Sequence, residues 1–206
     1  MVCLSLRFTL FVIYEGVDEI FKPIDKKIAK SFICENYEIK NDFLLYVGNA
    51  HPRKNLYTLI KAFSIAKKKG LSLKLVLVGV SSSELKIPNE VRDDITTLSY
   101  VPRKYLPYFY SASEVFMFLS LYESFGMPLV EAMACGIPII ASNTSCIPEI
   151  VGDAGILVNP LDVEEVASTI LNLMENTELK VELSVRGIKR ASQFTWERTI
   201  KETVGI

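Results

Sequence analysis

"FLLYVGNAHPRKNLYTLIKAFSIAKKKGLSLKLVLVG", residues 43–79, decides the fold class. The run "FLLYVG" (43–48) is apolar throughout and short, as a strand buried on both faces must be. "NLYTLIKAFSIAKKKG" (55–70) then switches to a helical period, with Leu56, Leu59, Ile60, Phe63 and Ile65/Ala66 on one face and Gly70 as the stop. "LKLVLVG" (73–79) returns to a buried strand. Strand, helix and strand in this order form a crossover unit, which joins parallel strands.

The alternation continues to the C-terminus. "ITTLSYV" (95–101), "EVFMFLS" (114–120), "IPIIAS" (137–142) and "GILVN" (155–159) read as further strands. "SSSELKIPNEVRDD" is polar and expected to be partly helical. "RKYLPYFYSAS" (103–113), "DVEEVASTILNLMEN" (162–176), "ELKVELSVRGIKRASQF" (178–194) and "TWERTIKETV" (195–204) read as helices, with Asp162 and Thr195 as N-caps. The expected fold is therefore α/β: a Rossmann-like, doubly wound parallel sheet of about six strands with helices on both faces. Ligands in such sheets bind beyond the carboxyl ends of the strands. Chemistry is thus sought in the loops after residues 48, 79, 101, 120 and 142.

The totals are neutral. The chain of 206 residues is half apolar with a formal net charge of −1, so neither a basic excess for nucleic acid nor an acidic tail is present. Cys3, Cys34, Cys135 and Cys146 form no CxxC pair, and the one histidine, His51, has no cysteine near it in sequence, which argues against a structural zinc site. Isolated thiols in apolar runs fit a reducing cytoplasm and small core positions. "MVCLSLRFTLFVIYEGVD" opens the chain; Arg7 interrupts its apolar run, and no small-residue cleavage site follows. It is too short to span a bilayer and reads as a strand or an interdomain connector.

Two loops carry candidate chemistry. "GNAHPRKN" (48–55) is neither GxGxxG nor a P-loop. Gly48 permits close backbone approach, and Arg53 and Lys54 stand at a strand–helix junction, where two cations suit a diphosphate. The plain alternative is two solvated surface cations, with His51 as a capping residue. "ESFGMPLVEAMACG" (123–136) is the second. Pro128 suits the first helical position and Gly136 the stop, giving a helix from about Met127 to Cys135. The N–H groups of residues 126–129 would then face the strand ends as an anion or hydroxyl site. On this reading Glu131 falls in the first turn, where it would at least complement the helix dipole, and Glu123 sits in the preceding loop. Two carboxylates would repel a phosphate placed between them, but each accepts hydrogen bonds from a diol. The residues alone reach "a nucleotide with a polyol".

"ESFGMPLVEAMACGIPIIAS" resembles the Glu–seven–Glu signature of the retaining family 4 glycosyltransferases, the glycosyl transferases group 1 domain. "YVGNAHPRKNLYTLIKAF", "LKLVLVG", "VPRKYLPYFYSASEVFMFLS", "PEIVGDAGILVNPLDVEEVASTI" and "FTWERT" fall in the order of that family's landmarks, over residues 43–200. The resemblance implies a C-terminal donor-binding domain of a GT-B enzyme. Such an enzyme transfers a hexosyl group, mannosyl or glucosyl, with retention, from a nucleoside diphosphate sugar to an acceptor hydroxyl, without a metal or other cofactor. It implies Glu123 as the catalytic-site glutamate at the donor sugar and Glu131 as the holder of the ribose diol. Phe125, Gly126, Met127 and Pro128 correspond to the segment whose backbone meets sugar and phosphate, and Lys54 to the diphosphate lysine. Val101 falls in the loop that reads the base. The family commonly has an arginine just after the glycine of the first loop; here that position is Asn49, next to Gly48, and Arg53 is the candidate substitute.

The same resemblance divides the chain into residues 1–42, a remnant of an N-terminal domain and the interdomain connector, residues 43–194, the nucleotide-sugar domain, and residues 195–206, a C-terminal helix. Its partners would be the nucleotide sugar and an N-terminal acceptor domain, missing or on a separate polypeptide, with a homodimer through exposed apolar surface as the other option. A non-autonomous subunit of a split transferase and an inactive truncated remnant are the alternative functions. A cytoplasmic location, including one at the inner face of a membrane, is expected, in keeping with the isolated thiols.

Overall fold

The computed structural model describes residues 11–205. Its centre is a six-stranded, wholly parallel sheet in the order β3-β2-β1-β4-β5-β6. The strands are β1 (Phe43–Val47), β2 (Lys74–Val78), β3 (Ile95–Leu98), β4 (Val115–Phe118), β5 (Ile139–Ser142) and β6 (Ile156–Val158). The helices are α1 (Lys26–Tyr37), α2 (Leu56–Lys68), α3 (Leu106–Ala112), α4 (Met127–Ala134), α5 (Ile147–Val151), α6 (Val163–Glu175), α7 (Thr177–Ala191) and α8 (Trp196–Val204).

The apolar runs read as strands divide by alternation between two cores. Leu45, Val47, Val76, Phe116, Phe118 and Ile139 face one side, with residues of α1, α3, α4 and α5. Leu44, Tyr46, Leu75, Leu77, Met117 and Ile140 face the other, with α2 and α6. Burial on both faces is why these strands read as continuous apolar runs rather than alternating ones. Asp162 caps α6 by accepting from the Glu165 N–H, and Thr195 caps α8 by accepting from the Arg198 N–H, as their positions predict.

Two segments take one of the forms the sequence left open, and a third differs from expectation. The polar stretch after β2 forms only two 3-10 turns, Ser82–Glu84 and Asn89–Asp94. Residues 11–18, predicted as strand or connector, carry no regular structure, and residues 1–10 lie outside the described residues. The sequence reading gave no helix to residues 26–37, yet α1 forms there, with Asp25 accepting from the N–H groups of Lys27 and Ile28. Its buried residues are Ala29 and Ile33, which pack toward α3; Phe32 stacks on Tyr108 at 4.1 Å between ring centroids. Residues 11–42 are thus bound to the sheet domain: the Val17 N–H donates to Phe194 O, and Tyr14 donates to Glu149. At Gly16 the fit is close enough that a Cβ would fall 2.2 Å from the Trp196 nitrogen.

No helix among the described residues is long and apolar enough to cross a membrane.

Candidate functional site

The strand order reverses between β1 and β4, since the chain runs outward from β1 to β3 and then returns to β4 beside β1. Such a switch point opens a crevice at the carboxyl ends of the two strands. The loops that follow β1 and β4 are the two stretches singled out from the sequence, and they meet there. The Leu121 N–H donates to Arg53 O at 2.8 Å, tying one loop to the other.

Lys54 is not a solvated surface cation. It is buried, and its Nζ lies 2.5 Å from Glu123 Oε1, also buried. Phe118 supports the ammonium from one side, with its ring centroid 5.3 Å away. Arg53 adds a second, longer contact, Nη1 to Glu123 Oε2 at 3.5 Å, from a half-exposed position. The local chain explains the placement. His51 Nδ1 caps the 3-10 turn Pro52–Lys54 by accepting from the Arg53 N–H, the capping role its position suggested. Asn55 then takes a left-handed conformation, φ 56°, and its amide donates to Pro160 O at 2.7 Å, so α2 starts abruptly after Lys54. Asn49 is spent on its own loop: its Oδ1 accepts from the His51 N–H, and its carbonyl accepts from the buried Tyr46 hydroxyl. Gly48 passes so close over Tyr46 that a Cβ would meet the hydroxyl oxygen at 2.6 Å.

Glu123 is held from behind by the loop after β5. Its N–H donates to Ser145 Oγ at 3.3 Å, and that hydroxyl donates back to Glu123 O at 2.8 Å. The Cys146 thiol also donates to Glu123 O, at 3.3 Å, so this cysteine lines the site wall rather than the core, whereas Cys135 is a buried core residue and Cys34 is half-buried. Ser145 and Cys146 carry no motif and were missed as individuals, although the loop after residue 142 was flagged.

Helix α4 begins at Met127, where the sequence placed its start. Gly126, at φ 97°, is the N-cap, Met127 the first helical residue and Pro128 the second. The Leu129 N–H is committed to Gly126 O and Pro128 has none, which leaves those of Gly126 and Met127 from the expected set of residues 126–129. The Phe125 ring turns away from the helix start and packs among Tyr14 (centroids 6.1 Å apart) and Phe194 (5.8 Å).

Glu131 corrects a reading. It lies in the second turn of α4, so dipole complementarity does not explain it. It is buried, with Oε2 accepting from the Tyr110 hydroxyl at 3.0 Å and Oε1 at 3.4 Å from Arg103 Nη1. Burial pushes its carboxyl pKa up; the Tyr110 bond and the Arg103 charge pull against that, and Asp18 adds to the rise. Tyr110 and Arg103 were not singled out from the sequence. Val101 is buried in the loop after β3, two residues before Arg103.

The raised pKa has a consequence for stability. The folded state binds the Glu131 proton more tightly than the unfolded chain does, so this group costs stability as pH rises from the unfolded pKa through the folded one. In chemical denaturation across the acid range, wild type is expected to lose ground to Glu131→Gln as pH rises, with the gap levelling off near neutrality. A gap that closes with rising pH would contradict the assignment.

The sequence profile of the glycosyl transferases group 1 family matches residues 30–190. The chain belongs to that family. It is 33% identical over 180 residues to O-antigen chain mannosyltransferase B of Escherichia coli, covering 84% of this chain and 47% of the relative. Thus the chain spans about half the length of that curated relative. Among solved structures, Anabaena Alr3699/HepE in complex with UDP and glucose superposes with a TM-score of 0.79 at 23% identity, over 95% of this chain and 55% of that one. The C-terminal domain of the glycosyl transferase group 1 protein LpcC of Francisella tularensis does so with a TM-score of 0.73 at 22% identity, over 86% of this chain and 97% of that one. These likenesses show the Rossmann-like fold of glycosyltransferases of this kind. The family match starts inside α1, earlier than the resemblance traced from residue 43.

Proposed function

We propose that the crevice binds a nucleoside diphosphate sugar and that this domain is the donor half of a retaining GT-B hexosyltransferase. The observation that carries the reading is the meeting of Lys54 and Glu123, from opposite walls, beside the start of α4. One ligand divides among these groups according to its chemistry, with Glu123 and the diphosphate sharing the Lys54 ammonium. Lys54, Arg53 and the N–H groups of Gly126 and Met127 take the diphosphate. Glu131 accepts from the ribose diol, and the loop at Val101 takes the base. Glu123 faces the hydroxyls of the sugar and steadies positive charge as the bond from its anomeric carbon to the diphosphate breaks. The same cations and N–H groups stabilise the departing diphosphate, without a metal in the scheme. Similarity to a mannosyltransferase supports mannosyl as the transferred group, and the UDP and glucose bound by Alr3699/HepE support a uridine donor and a glucosyl group; both remain within the proposal.

The acceptor would dock on a second domain facing this crevice, in the same polypeptide or a separate one. Helix α8 presents Trp196, Ile200 and Val204 to solvent, and an apolar groove of about 350 Å³ lined by Phe21, Ile188 and Phe194 runs beside it. Such a surface suits that domain or, failing it, a second copy of this chain.

The reading is tested by thermal shift and calorimetry with UDP-glucose, GDP-mannose, UDP and GDP. Ligand present at a hundred times its Kd is expected to stabilise the fold by about 2.7 kcal/mol. Wild type is expected to bind at least one of the four, and Glu131→Ala to bind it far more weakly. No binding by wild type, or equal binding by both, would overturn the proposal.

A further inference from the structure

We infer that Tyr110 is a positioning residue that fixes one oxygen of Glu131, so that the other is left to meet the ribose diol; the inference rests on the donor reading above. Tyr110 lies on α3 and is fully buried, its ring held edge-on by Phe116 (centroids 5.4 Å apart) and by Phe21 (6.0 Å). It therefore has little freedom to follow a moving partner. Its hydroxyl reaches Glu131 Oε2 at 3.0 Å, between two elements 21 residues apart in sequence. Glu131 Oε1 has a different kind of neighbour. Arg103 Nη1 is 3.4 Å away on a side chain 55% exposed, shared with Asp18 at 3.8 Å and resting over the Phe21 ring at 5.0 Å. One oxygen is thus anchored to the interior, and the other faces a movable cation in the loop after β3, beside Val101, where the nucleoside is proposed to lie.

The ionisation of the pair agrees with this division. Burial keeps the Tyr110 hydroxyl protonated and hence a donor. The groups that set the state of Glu131 are Tyr110 from α3, Arg103 from the turn after β3 and Asp18 from the connector, while Cys135, on the residues following α4, responds to Glu131 in turn. Burial and Asp18 favour the neutral acid; Tyr110 and Arg103 favour the carboxylate, the form that can accept from two hydroxyls. Loss of the Tyr110 hydroxyl would both loosen Glu131 and bring its protonation to higher pH.

Tyr110→Phe keeps the ring and removes that bond alone. Calorimetry on the full chain would compare UDP with 2′-deoxy-UDP, and GDP with 2′-deoxy-GDP, across about pH 5 to about pH 8. Wild type is expected to prefer the ribose form. In Tyr110→Phe the ribose nucleotide is expected to bind about tenfold more weakly near neutrality, with the deoxy form almost unchanged. The pH below which ribose-nucleotide binding fails should also move upward. Glu131→Gln is expected to abolish the preference, and adding Tyr110→Phe to it should change little more. Equal losses for ribose and deoxy ligands in Tyr110→Phe, with a lowered melting temperature, would reduce Tyr110 to a packing role. Loss of the preference in Glu131→Gln but not in Tyr110→Phe would overturn the Tyr110 assignment and leave the donor reading standing. A wild type that binds none of the four, or prefers no ribose form, would overturn both.

Discussion

Lys54→Met is expected to lower the unfolding free energy by about 3 kcal/mol and to weaken UDP or GDP binding at least about a hundredfold. The stability loss follows from the geometry of the pair. Methionine fills a similar volume but leaves Glu123 buried opposite an apolar chain, with Arg53 at 3.5 Å as its remaining cation. Breaking a buried pair from one side typically costs about 3–5 kcal/mol, because the desolvated charge left behind is uncompensated. Arg53 is half-exposed and offsets part of that, so the lower end applies. For a chain of 206 residues this corresponds to a melting temperature lower by roughly 10 °C. The binding loss has a separate origin, the missing cation at the diphosphate. The double variant Lys54→Met/Glu123→Gln separates the two. Removing both charges is expected to restore most of the melting temperature, since a buried pair replaced on both sides is often neutral. Nucleotide affinity should stay lost. Full affinity in the stable double variant would remove Lys54 from the diphosphate site.

Glu123→Gln is expected to act in opposite directions on two ligands. In the structure Lys54 already has an anion, the Glu123 carboxylate at 2.5 Å, where the donor reading puts a diphosphate within reach of the same ammonium. The carboxylate is thus a resident competitor for the cation that the ligand requires. Neutralising it frees Lys54, and UDP or GDP, whichever the protein prefers, is expected to bind about tenfold more tightly, within the range of coupling energies between close charge pairs. The same change removes the acceptor proposed for the sugar hydroxyls. The gain should therefore vanish or reverse for the sugar-bearing nucleotide, and transfer in the complete enzyme is expected to fall by about a hundredfold or more. Calorimetry with the nucleotide and its sugar conjugate on both proteins reads the two effects side by side. Weaker nucleotide binding by Glu123→Gln would refute the competition.

The α/β class was legible because β1, β2, β4 and β5 are buried on both faces, and that demands apolar runs with little else to mistake them for. Helix α1 was not. Only Ala29 and Ile33 among its residues are fully buried, a spacing of one turn; Phe32 and Tyr37 lie partly buried on the same side, and this short stripe was passed over as part of the connector. Of the site, both loops were visible, since position beyond a strand end is a sequence property once the strands are recognised. Their pairing came only through the family resemblance and from no spacing of the residues, because it depends on β4 lying beside β1, a fact of strand order. Glu131 was placed in the first turn rather than the second, an offset of one residue, by assigning Pro128 to the first helical position when it occupies the second. Tyr110 was hidden for another reason: within "LPYFYSA" a tyrosine looks like core, and it is core, but its buried hydroxyl is also committed to Glu131.

Lys54 and Glu123 stand 69 residues apart, and the Ser145 hydroxyl that holds the Glu123 backbone comes 22 residues later still. On a chain emerging from the ribosome, Lys54 has no counter-ion until four strands are out, and the loop of Glu123 has no brace until β5 has followed. A fragment shorter than this lacks one of the three groups that make up the crevice. A nucleotide held there recognises only the finished sheet, so its binding energy bears on the folding equilibrium of the whole domain rather than on a local loop.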